Sequence, residues 1–318
     1  MKSSLTILRG SVGSPSSLSL IKELQNFGHK IIGTDANPLS SGLYLCEKGY
    51  VVPKGNDPKY LQKILQICDT EKPDLILPSS EDEILTLSQN KRLFDQRNIV
   101  LLCPNYDTVL TCNDKIKTNI FFVENNIPTP RIYESKNIEF PSIIKPRFGK
   151  GSENVYRLDN SDDLEFYQKK IKEPIIQEFI SGEEYSVDIL SDFESNAISI
   201  VPRIRIQTES GISIKSKTVN EQTIIKYCKE ISKKIKLIGP SCIQLIKSNN
   251  LIKFIEINPR FGGGSILSIK SDKTIIPNLI RLTKNEPLLP NIGFDEEMVL
   301  LRYYDDVLID QDKLLDKL

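Results

Sequence analysis

The chain has 318 residues, with 42 basic residues against 42 acidic ones, so it carries no net charge at neutral pH. This length is about twice the ~150 residues of an average domain, and two or three subdomains are expected. Without a positive excess, a nucleic-acid binder is excluded as the first interpretation, and an anionic ligand needs locally placed Lys and Arg. No apolar run approaches the ~20 residues of a membrane span, so no membrane partner is expected.

The N-terminus and the cysteines predict the cellular compartment. Residues 5–8 form the only apolar patch near the start, and this patch is too short for a secretory signal. The six cysteines form no CxxC pair, and the single His29 cannot complete a Cys/His zinc set. These features predict a cytoplasmic protein with reduced thiols.

Apolar runs alternate with helical patterns through the first hundred residues. Residues 5–8 precede a Gly/Ser turn, Pro15 opens a helical pattern that Gly28 closes, and a second run ends at Asp35. Further apolar runs follow at residues 50–53, 75–78 and 99–103. Strands buried on both faces have such continuous runs. Residues 1 to about 104 are therefore predicted to form an open parallel sheet.

Ligands of such sheets lie outside the carboxyl ends of the strands, which indicates residues 10–14, Asp35 and residues 79–83. The first turn has part of a dinucleotide fingerprint but lacks its G-x-G-x-x-G spacing. An NAD-binding oxidoreductase is therefore kept as an alternative function. Glu81 and Glu83 have two interpretations, as site residues or as first-turn residues favoured by the helix dipole.

The middle of the chain contains a glycine loop after a strand. Pro128 and Pro130 end a helix that opens at residues 112–118 and mark a joint between subdomains. A short strand then ends at Lys145, and a loop with two glycines follows. Such a loop can fold over a polyphosphate, because glycine lets backbone N–H groups approach it.

Turn residues Ser-Asn-Asn between two apolar runs predict a hairpin near residue 249. Because side chains alternate along a strand, we expect Glu256 and Asn258 to point the same way as Phe254. Gln244 can approach them from the partner strand. The alternative, a polar strand end exposed to water, does not account for the Arg-Phe-Gly-Gly-Gly run that follows.

In order and spacing, these motifs resemble the ATP-grasp superfamily. The residues that carry the resemblance are Lys115, Lys145, Gly149, Lys150, Gly151, Ser152, Gln177, Glu178, Phe179, Ile180, Glu184, Gln244, Glu256, Asn258 and Arg260. The chain looks most like carbamoyl-phosphate-synthase-like and PylC-like carboxylate–amine ligases. The resemblance implies a pre-ATP-grasp parallel αβα domain followed by an α+β ATP-grasp fold with a small mobile subdomain and a larger antiparallel one. The implied divisions are residues 1–104, a linker helix region 105–135, a lid 136–184 and a C-terminal subdomain 185–318.

The resemblance also implies ATP as the nucleotide. Lys115 and Lys145 would bind the α-phosphate region and the adenine edge, since compact cations suit phosphate oxygens. The β- and γ-phosphates would be covered by the loop of Gly149, Lys150, Gly151 and Ser152. The adenine and the ribose would be recognised by Glu178, Phe179, Ile180 and Glu184. Gln244, Glu256 and Asn258 would bind Mg²⁺, with Mn²⁺ as a substitute, because both ions take hard oxygen ligands.

Three basic residues are implied as catalytic groups. Arg260 would stabilise the transferring phosphoryl group. Of the basic residues on the two central strands, Arg205 and Lys215 are expected to face the site, and the alternative is that these are solvated strand charges. The glycines after Arg260 would offer backbone N–H groups to an anion.

The implied reaction joins a small-molecule carboxylate to an amine through an acyl phosphate. No covalent enzyme intermediate is needed, which agrees with the lack of a Ser/His or Cys/His pairing. A catalytically silent ATP-binding protein is a further alternative. The sequence leaves the substrates and the oligomeric state open, with a homodimer as the commonest assembly.

Overall fold

The computed structural model describes residues 4–134, 137–149, 151–249 and 251–315. Its first sheet comprises β1 (Thr6–Arg9), β2 (Lys30–Asp35), β3 (Lys48–Val51), β4 (Leu75–Leu77) and β5 (Val100–Leu101). The strand order is β3-β2-β1-β4-β5 and every neighbouring pair is parallel. The connecting helices are α1 (Pro15–Asn26), α2 (Gly42–Leu45), α3 (Tyr60–Glu71), α4 (Glu81–Gln89) and α5 (Lys91–Asp95). The predicted open parallel sheet is confirmed.

Local capping explains where the helices on the site side begin. The Ser14 side chain accepts a hydrogen bond from the Ser17 N–H, and Pro15 occupies the first turn of α1. At α4, Ser80 and Glu83 form a capping box, so the carboxylate of Glu83 serves the helix start. Asn90 separates α4 from α5.

Two helices connect the parallel sheet to the rest of the chain, α6 (Tyr106–Asn113) and α7 (Lys115–Glu124). The sequence predicted only one helix here, opening near Cys112. Asp114 interrupts it, because its side chain accepts hydrogen bonds from the N–H groups of Ile116 and Lys117 and so caps α7. This cap places Lys115 in the first turn of a helix.

The small sheet is antiparallel, with β6 (Ile132–Tyr133), β7 (Ser142–Pro146), β8 (Tyr156–Leu158) and β9 (Pro174–Glu178) in the order β6-β9-β7-β8. Helix α8 (Ser161–Gln168) packs over it. The larger antiparallel sheet has the order β14-β13-β10-β11-β12-β15. Its strands are β10 (Glu183–Ser191), β11 (Ala197–Glu209), β12 (Ile212–Thr218), β13 (Gly239–Ser248), β14 (Leu251–Asn258) and β15 (Val299–Leu301). The remaining helices are α9 (Gln222–Ile235), α10 (Ser265–Ser271) and α11 (Ile275–Lys284).

Two apolar cores hold these layers in place. One lies between the larger sheet, α7 and α9, and includes Phe122, Ile231 and Phe254, each 0% exposed. The other joins residues of α1 and β1 with residues of α10 and α11, among them Leu24 and Leu279. Through this shared core, the C-terminal helices rest on the parallel sheet and fix its carboxyl edge beside the larger sheet. In the part of the chain that the structure describes, no helix is long and apolar enough to cross a membrane.

Candidate active site

A cavity of about 740 Å³ lies between the small sheet, the larger sheet and the carboxyl edge of the parallel sheet. The residues proposed from the sequence that line it are Lys115, Lys145, Gly149, Gly151, Ser152, Glu178, Phe179, Ile180, Glu184, Arg205, Gln244, Glu256, Asn258 and Arg260. Lys150 lies outside the described residues. Residues proposed from the sequence that lie more than a hundred positions apart along the chain therefore line one cavity.

Lys145 stands in the penultimate position of β7 and is only 6% exposed. Burial lowers the pKa of its ammonium from 10.5 to about 8, against the opposing effect of Glu256 and with a further decrease from Lys115. Burial makes the charged form of a lysine unfavourable, and an anion that binds beside the ammonium stabilises this charged form. This end of the cavity therefore favours a phosphate or carboxylate group.

The loop after Lys145, residues 147–152, is called the phosphate loop below. Its root is fixed to α7, since Arg147 Nε donates to Asp114 Oδ1 at 2.9 Å and a second guanidinium nitrogen reaches Oδ2. Although burial opposes ionisation of Asp114, its hydrogen bonds with Arg147 and the helix N–H groups keep its pKa below the ordinary value. Lys115 Nζ donates to the Gly149 carbonyl at 2.9 Å. The sequence analysis did not predict these contacts. The Asn-Asp-Lys sequence before α7 could have indicated Asp114 as the N-cap of this helix.

One wall of the cavity is the link between the small sheet and the larger sheet. Glu178 at the end of β9 accepts a hydrogen bond from the Arg131 N–H at 3.0 Å and lies 3.5 Å from Lys253 Nζ. Phe179 follows Glu178, and the Arg157 guanidinium lies over the Phe179 ring, 4.6 Å from the ring centre. This segment offers an apolar ring face and backbone groups to a planar ligand.

Arg205 connects three parts of the opposite wall. Its side chain is 7% exposed, and Nη1 donates to Glu184 Oε2 at 2.9 Å and to Gln244 Oε1 at 3.4 Å. The other terminal nitrogen donates to the Gly211 carbonyl at 2.9 Å. Arg203, two residues before it, is 1% exposed and is paired with Asp188 instead. Arg205 therefore contacts residues that line the cavity, whereas Arg203 forms a buried ion pair.

The expectation that Lys215 faces the site is not met by the geometry. Lys215 is exposed on β12 and is not among the described residues that line the cavity. Its neighbour Ser216 is buried, and the Ser216 hydroxyl accepts a hydrogen bond from Arg203 Nη1 at 3.3 Å. The inward position of this strand is therefore taken by a serine, and alternation turns the Lys215 side chain away.

The hairpin of β13 and β14 carries the three oxygen donors. Gln244 pairs with Glu256 across the two strands, but Leu245 pairs with Phe254, so Ile255 is an extra, bulged residue. The bulge reverses the alternation. Phe254 lies in the apolar core, whereas Glu256 and Asn258 line the cavity, and the expectation that all three share a face is wrong.

These donors fit a magnesium ion that arrives with phosphate oxygens. Gln244, Glu256 and Asn258 supply hard oxygens at one wall, and Asn258 Nδ2 donates to Glu256 Oε1 at 2.9 Å. Within the described ranges, no group of three or more His, Cys, Asp and Glu side chains could hold a metal ion. One carboxylate and two amides are a weak site for a bare cation, so an anionic ligand would have to supply the remaining charge.

Arg260 is fixed at the boundary with the parallel sheet. Its Nε lies 3.2 Å from Glu81 Oε1 at the start of α4, a second nitrogen also reaches this oxygen, and Nη2 lies 3.2 Å from Asn258 Oδ1. Burial alone would lower the pKa of Arg260, but the charge and the hydrogen bond of Glu81, together with Cys242 and Glu256, raise it above the ordinary value. Glu81 therefore lines the cavity and pairs with Arg260, in addition to its place in the first turn of α4.

The carboxyl edge of the parallel sheet closes the far end of the cavity with Ser11, Ser14, Ser16, Ser79, Ser80 and Glu81. Asp35 is not in this lining set. Its Oδ2 accepts the Gly13 N–H at 2.8 Å, and a Cβ on Gly13 would lie 2.3 Å from Ser40 Oγ. The first turn is therefore filled by its own contacts, which argues against a pyrophosphate there.

The glycine run after Arg260 rests on the buried Asp188–Arg203 pair. Arg203 Nε donates to Asp188 Oδ2 at 2.7 Å, and the hydroxyls of Ser265 and Ser268 donate to the same carboxylate. A Cβ on Gly264 would lie 2.4 Å from Arg203 Nη1, so only glycine fits above the guanidinium. The loop backbone can therefore lie directly between the ion pair and the cavity.

Comparison with known proteins agrees with this arrangement. Residues 112–264 match the family model described as an ATP-grasp domain, and residues 15–102 match the PylC-like N-terminal domain. A carbamoyl-phosphate synthase of Methanobrevibacter smithii is 27% identical over 175 residues, which are 51% of this chain and 46% of that protein. The chain thus spans less than half the length of this relative.

Two solved structures share the fold. The biotin carboxylase domain of the Hydrogenobacter thermophilus 2-oxoglutarate carboxylase, in complex with MgADP, ADP and bicarbonate, has a TM-score of 0.72 and 14% identity; the match covers 92% of this chain and 73% of that one. For an L-amino acid ligase from Bacillus licheniformis the TM-score is 0.69 and the identity 18%, with coverage of 91% and 76%. At such identities the likeness concerns the fold alone.

Two antiparallel sheets around one cavity, preceded by a parallel αβα domain, define the class of protein. It is an ATP-grasp fold with its pre-ATP-grasp domain. By these matches, residues 112–264 form an ATP-grasp domain and residues 15–102 form a PylC-like N-terminal domain.

Proposed function

We propose that this protein is an ATP-dependent carboxylate–amine ligase. The observation that carries the proposal is that one cavity contains a buried lysine, an oxygen-donor hairpin and a guanidinium held by Glu81. Each of these groups suits one part of phosphoryl transfer, namely nucleotide phosphates, a divalent cation and the transferring group. The match of residues 112–264 to the ATP-grasp domain supports the same conclusion.

In the proposed reaction, a substrate carboxylate oxygen attacks the γ-phosphorus of ATP, and the bond to the bridging oxygen of ADP breaks. An amine then attacks the carbonyl of the acyl phosphate, phosphate leaves, and one proton is released with the new amide. Lys145 and Lys115 would hold the nucleotide phosphates, with Glu178 and Glu184 at the adenosine end. Arg260 would lie against the transferring group, where fixed positive charge lowers the barrier.

A magnesium ion held by Gln244, Glu256 and Asn258 would neutralise charge on the phosphates. The phosphate loop would exclude water, which would otherwise hydrolyse the acyl phosphate. Within the described part of the chain the cavity wall has no histidine and no exposed thiol, and the chemistry proposed needs neither.

The test is a screen of purified protein with Mg-ATP against carboxylates, including bicarbonate and amino acids, each paired with ammonia or an amino acid. ADP release that requires both an acid and an amine, with the amide detected by mass spectrometry, supports the proposal. ATP binding without ADP release in any pairing would instead indicate a silent nucleotide-binding protein. Thermal stabilisation by NAD but not by ATP would overturn it in favour of an oxidoreductase.

The buried lysine predicts a pH dependence of nucleotide binding. Since the pKa of Lys145 is lowered from 10.5 to about 8, the folded empty protein binds fewer protons than the unfolded chain between these values. In that window this lysine makes the empty protein more stable as the pH rises. Bound phosphate favours the charged ammonium, so ATP binding takes up a proton there. We expect the Kd for Mg-ATP to rise by up to about tenfold per pH unit above pH ~8.

Isothermal titration calorimetry at pH 8 to 9.5, in buffers of different ionisation enthalpy, measures both the Kd and the proton uptake. In Lys145→Arg the cation stays charged over this range, so the uptake should disappear. A wild-type Kd that does not change across the window would contradict the prediction.

A further inference from the structure

An arginine near the C-terminus reaches the glycine run of the cavity wall, residues 262–264. Arg302 directly follows β15, and its N–H donates to the Ile214 carbonyl at 3.0 Å, which continues the pairing of β15 with β12. Its Nε donates to the Ser213 carbonyl at 3.1 Å, and Nη2 donates to the Gly263 carbonyl. The guanidinium therefore joins the end of β15, the start of β12 and the glycine run.

The charge of Arg302 has no acidic partner. In the part of the chain that the structure describes, this half-buried side chain forms no ion pair. Burial lowers the pKa of the guanidinium, and the positive charge of Arg203 lowers it further. A cation withdrawn from water needs hydrogen bonds, and here the acceptors are the Gly263 and Ser213 carbonyls. Because hydrogen bonds from a charged donor are strong, the Gly263 carbonyl is held towards Arg302.

The bond to Gly263 sets the direction of the next peptide group. Among the described residues the only cis peptide bond precedes Pro141, so the bond from Gly263 to Gly264 is trans. In a trans peptide the C=O and the N–H point in opposite directions, and the Gly264 N–H therefore points away from Arg302. Gly264 lines the cavity and Arg302 is outside its described lining. No hydrogen bond of the described residues uses the Gly264 N–H as donor, so an unused donor lies on the cavity side of the run.

We propose that Arg302 is a positioning residue, which fixes the peptide between Gly263 and Gly264 so that the Gly264 N–H binds an anionic oxygen of the phosphoryl group transferred in the cavity. The inference rests on the proposed function for the source of this anion, whereas the orientation of the peptide is a property of the empty protein. A backbone donor fixed in advance stabilises negative charge without the cost of reorganisation. Arg302 lies beyond the residues matched to the ATP-grasp domain, which end at Gly264.

The sequence provides a selective probe of this peptide, because residues 262–264 are the only consecutive glycines in the chain. The protein is labelled with glycine carrying ¹³C at the carbonyl and ¹⁵N at the amide, with unlabelled serine added. An NMR experiment that connects each carbonyl carbon to the following amide then detects only the Gly263 and Gly264 amides. In the empty protein, we expect Arg302→Met to move the Gly263 carbonyl resonance upfield, because the carbonyl loses the hydrogen bond from the guanidinium.

Anion binding is tested with inorganic phosphate added to the Mg-ADP complex. In the wild-type protein the Gly264 amide proton should shift during the titration, and in Arg302→Met phosphate should bind about tenfold more weakly. Arg281→Met is the matched control. Arg281 Nη1 also donates to a carbonyl, that of Pro287, at 2.8 Å, but Arg281 is outside the described lining of the cavity. This variant should give the wild-type result in both measurements.

A Gly263 carbonyl resonance and a phosphate affinity that are both unchanged in Arg302→Met would overturn the proposal. A Gly264 amide that does not respond to phosphate in the wild-type Mg-ADP complex would overturn the role in anion binding. Arg302→Lys keeps the charge and can still reach one carbonyl. If this variant restores the Gly263 resonance, phosphate affinity must return with it, and recovery of the resonance alone would contradict the coupling.

The outcome for the proposed function is separate. Failure of the wild-type protein to bind Mg-ADP would count against an ATP-dependent ligase. The Gly263 resonance of the empty protein would still decide whether Arg302 orients the peptide.

Discussion

Replacing Glu256 with Gln is expected to lower Mg-ATP-dependent ADP release by at least about 100-fold while the protein stays folded. Glu256 is the one carboxylate among the three oxygen donors of the hairpin, and its loss removes the negative charge that the cation needs. The substitution keeps the size of the side chain and an oxygen that can still accept from Asn258 Nδ2. Steady-state ADP release and calorimetric ATP affinity, with and without Mg²⁺, measure the effect.

Glu183→Gln is the control for this substitution. Glu183 lies at the start of β10, is exposed and is outside the described lining of the cavity, yet the chemical change is the same. It should leave both turnover and the Mg²⁺ dependence of ATP binding unchanged. Wild-type turnover in Glu256→Gln would mean that the cation is held elsewhere.

Replacing Asp188 with Ala is expected to lower the free energy of unfolding by about 3–5 kcal/mol. The Arg203 and Asp188 side chains are 1% and 5% exposed, so the substitution leaves a buried guanidinium without its counter-ion. It also removes the acceptor of the Ser265 and Ser268 hydroxyls beneath the glycine run. Urea unfolding, compared at unchanged m-value, measures the loss.

An exposed ion pair provides the comparison. Arg157 and Asp159 are 51% and 60% exposed at their side chains, and Asp159→Ala should change stability by less than about 1 kcal/mol. If Asp188→Ala is too unstable to purify, Asp188→Asn keeps the shape and should show an intermediate loss. Similar stability of Asp188→Ala and Asp159→Ala would contradict the prediction.

The parallel sheet could be predicted from the sequence because each of its strands lies on or beside a short apolar run, although β3 begins at Lys48, two residues before the predicted run 50–53. Lys145 could be placed at a strand end for the same reason. The polar hairpin could be located, but its side-chain directions could not, since the bulge at Ile255 depends on how β14 pairs with β13. Nothing in the residues between Phe254 and Glu256 marks that irregularity.

Lys215 illustrates the other limit of sequence reasoning. Four basic residues alternate along β11 and β12, and alternation alone cannot tell which face of a strand is inward. The structure resolves it through contacts distant in sequence: Arg203 meets Asp188, and Arg205 meets Glu184 and Gln244. The contacts of Asp114 with Arg147 and of Glu81 with Arg260 join residues 33 and 179 positions apart, a separation over which local patterns carry no information.

The apolar core shared by α1, β1, α10 and α11 limits how this protein can be recombined with its relatives. A chimera that exchanges only the first domain would bring a foreign surface against Leu279 and its neighbours, and would also separate Glu81 from Arg260. Successful grafts must therefore carry the two C-terminal helices together with the first domain, although residues 102–264 lie between them in the sequence. The segments that must be exchanged together share one buried apolar surface, and they are not contiguous in the sequence.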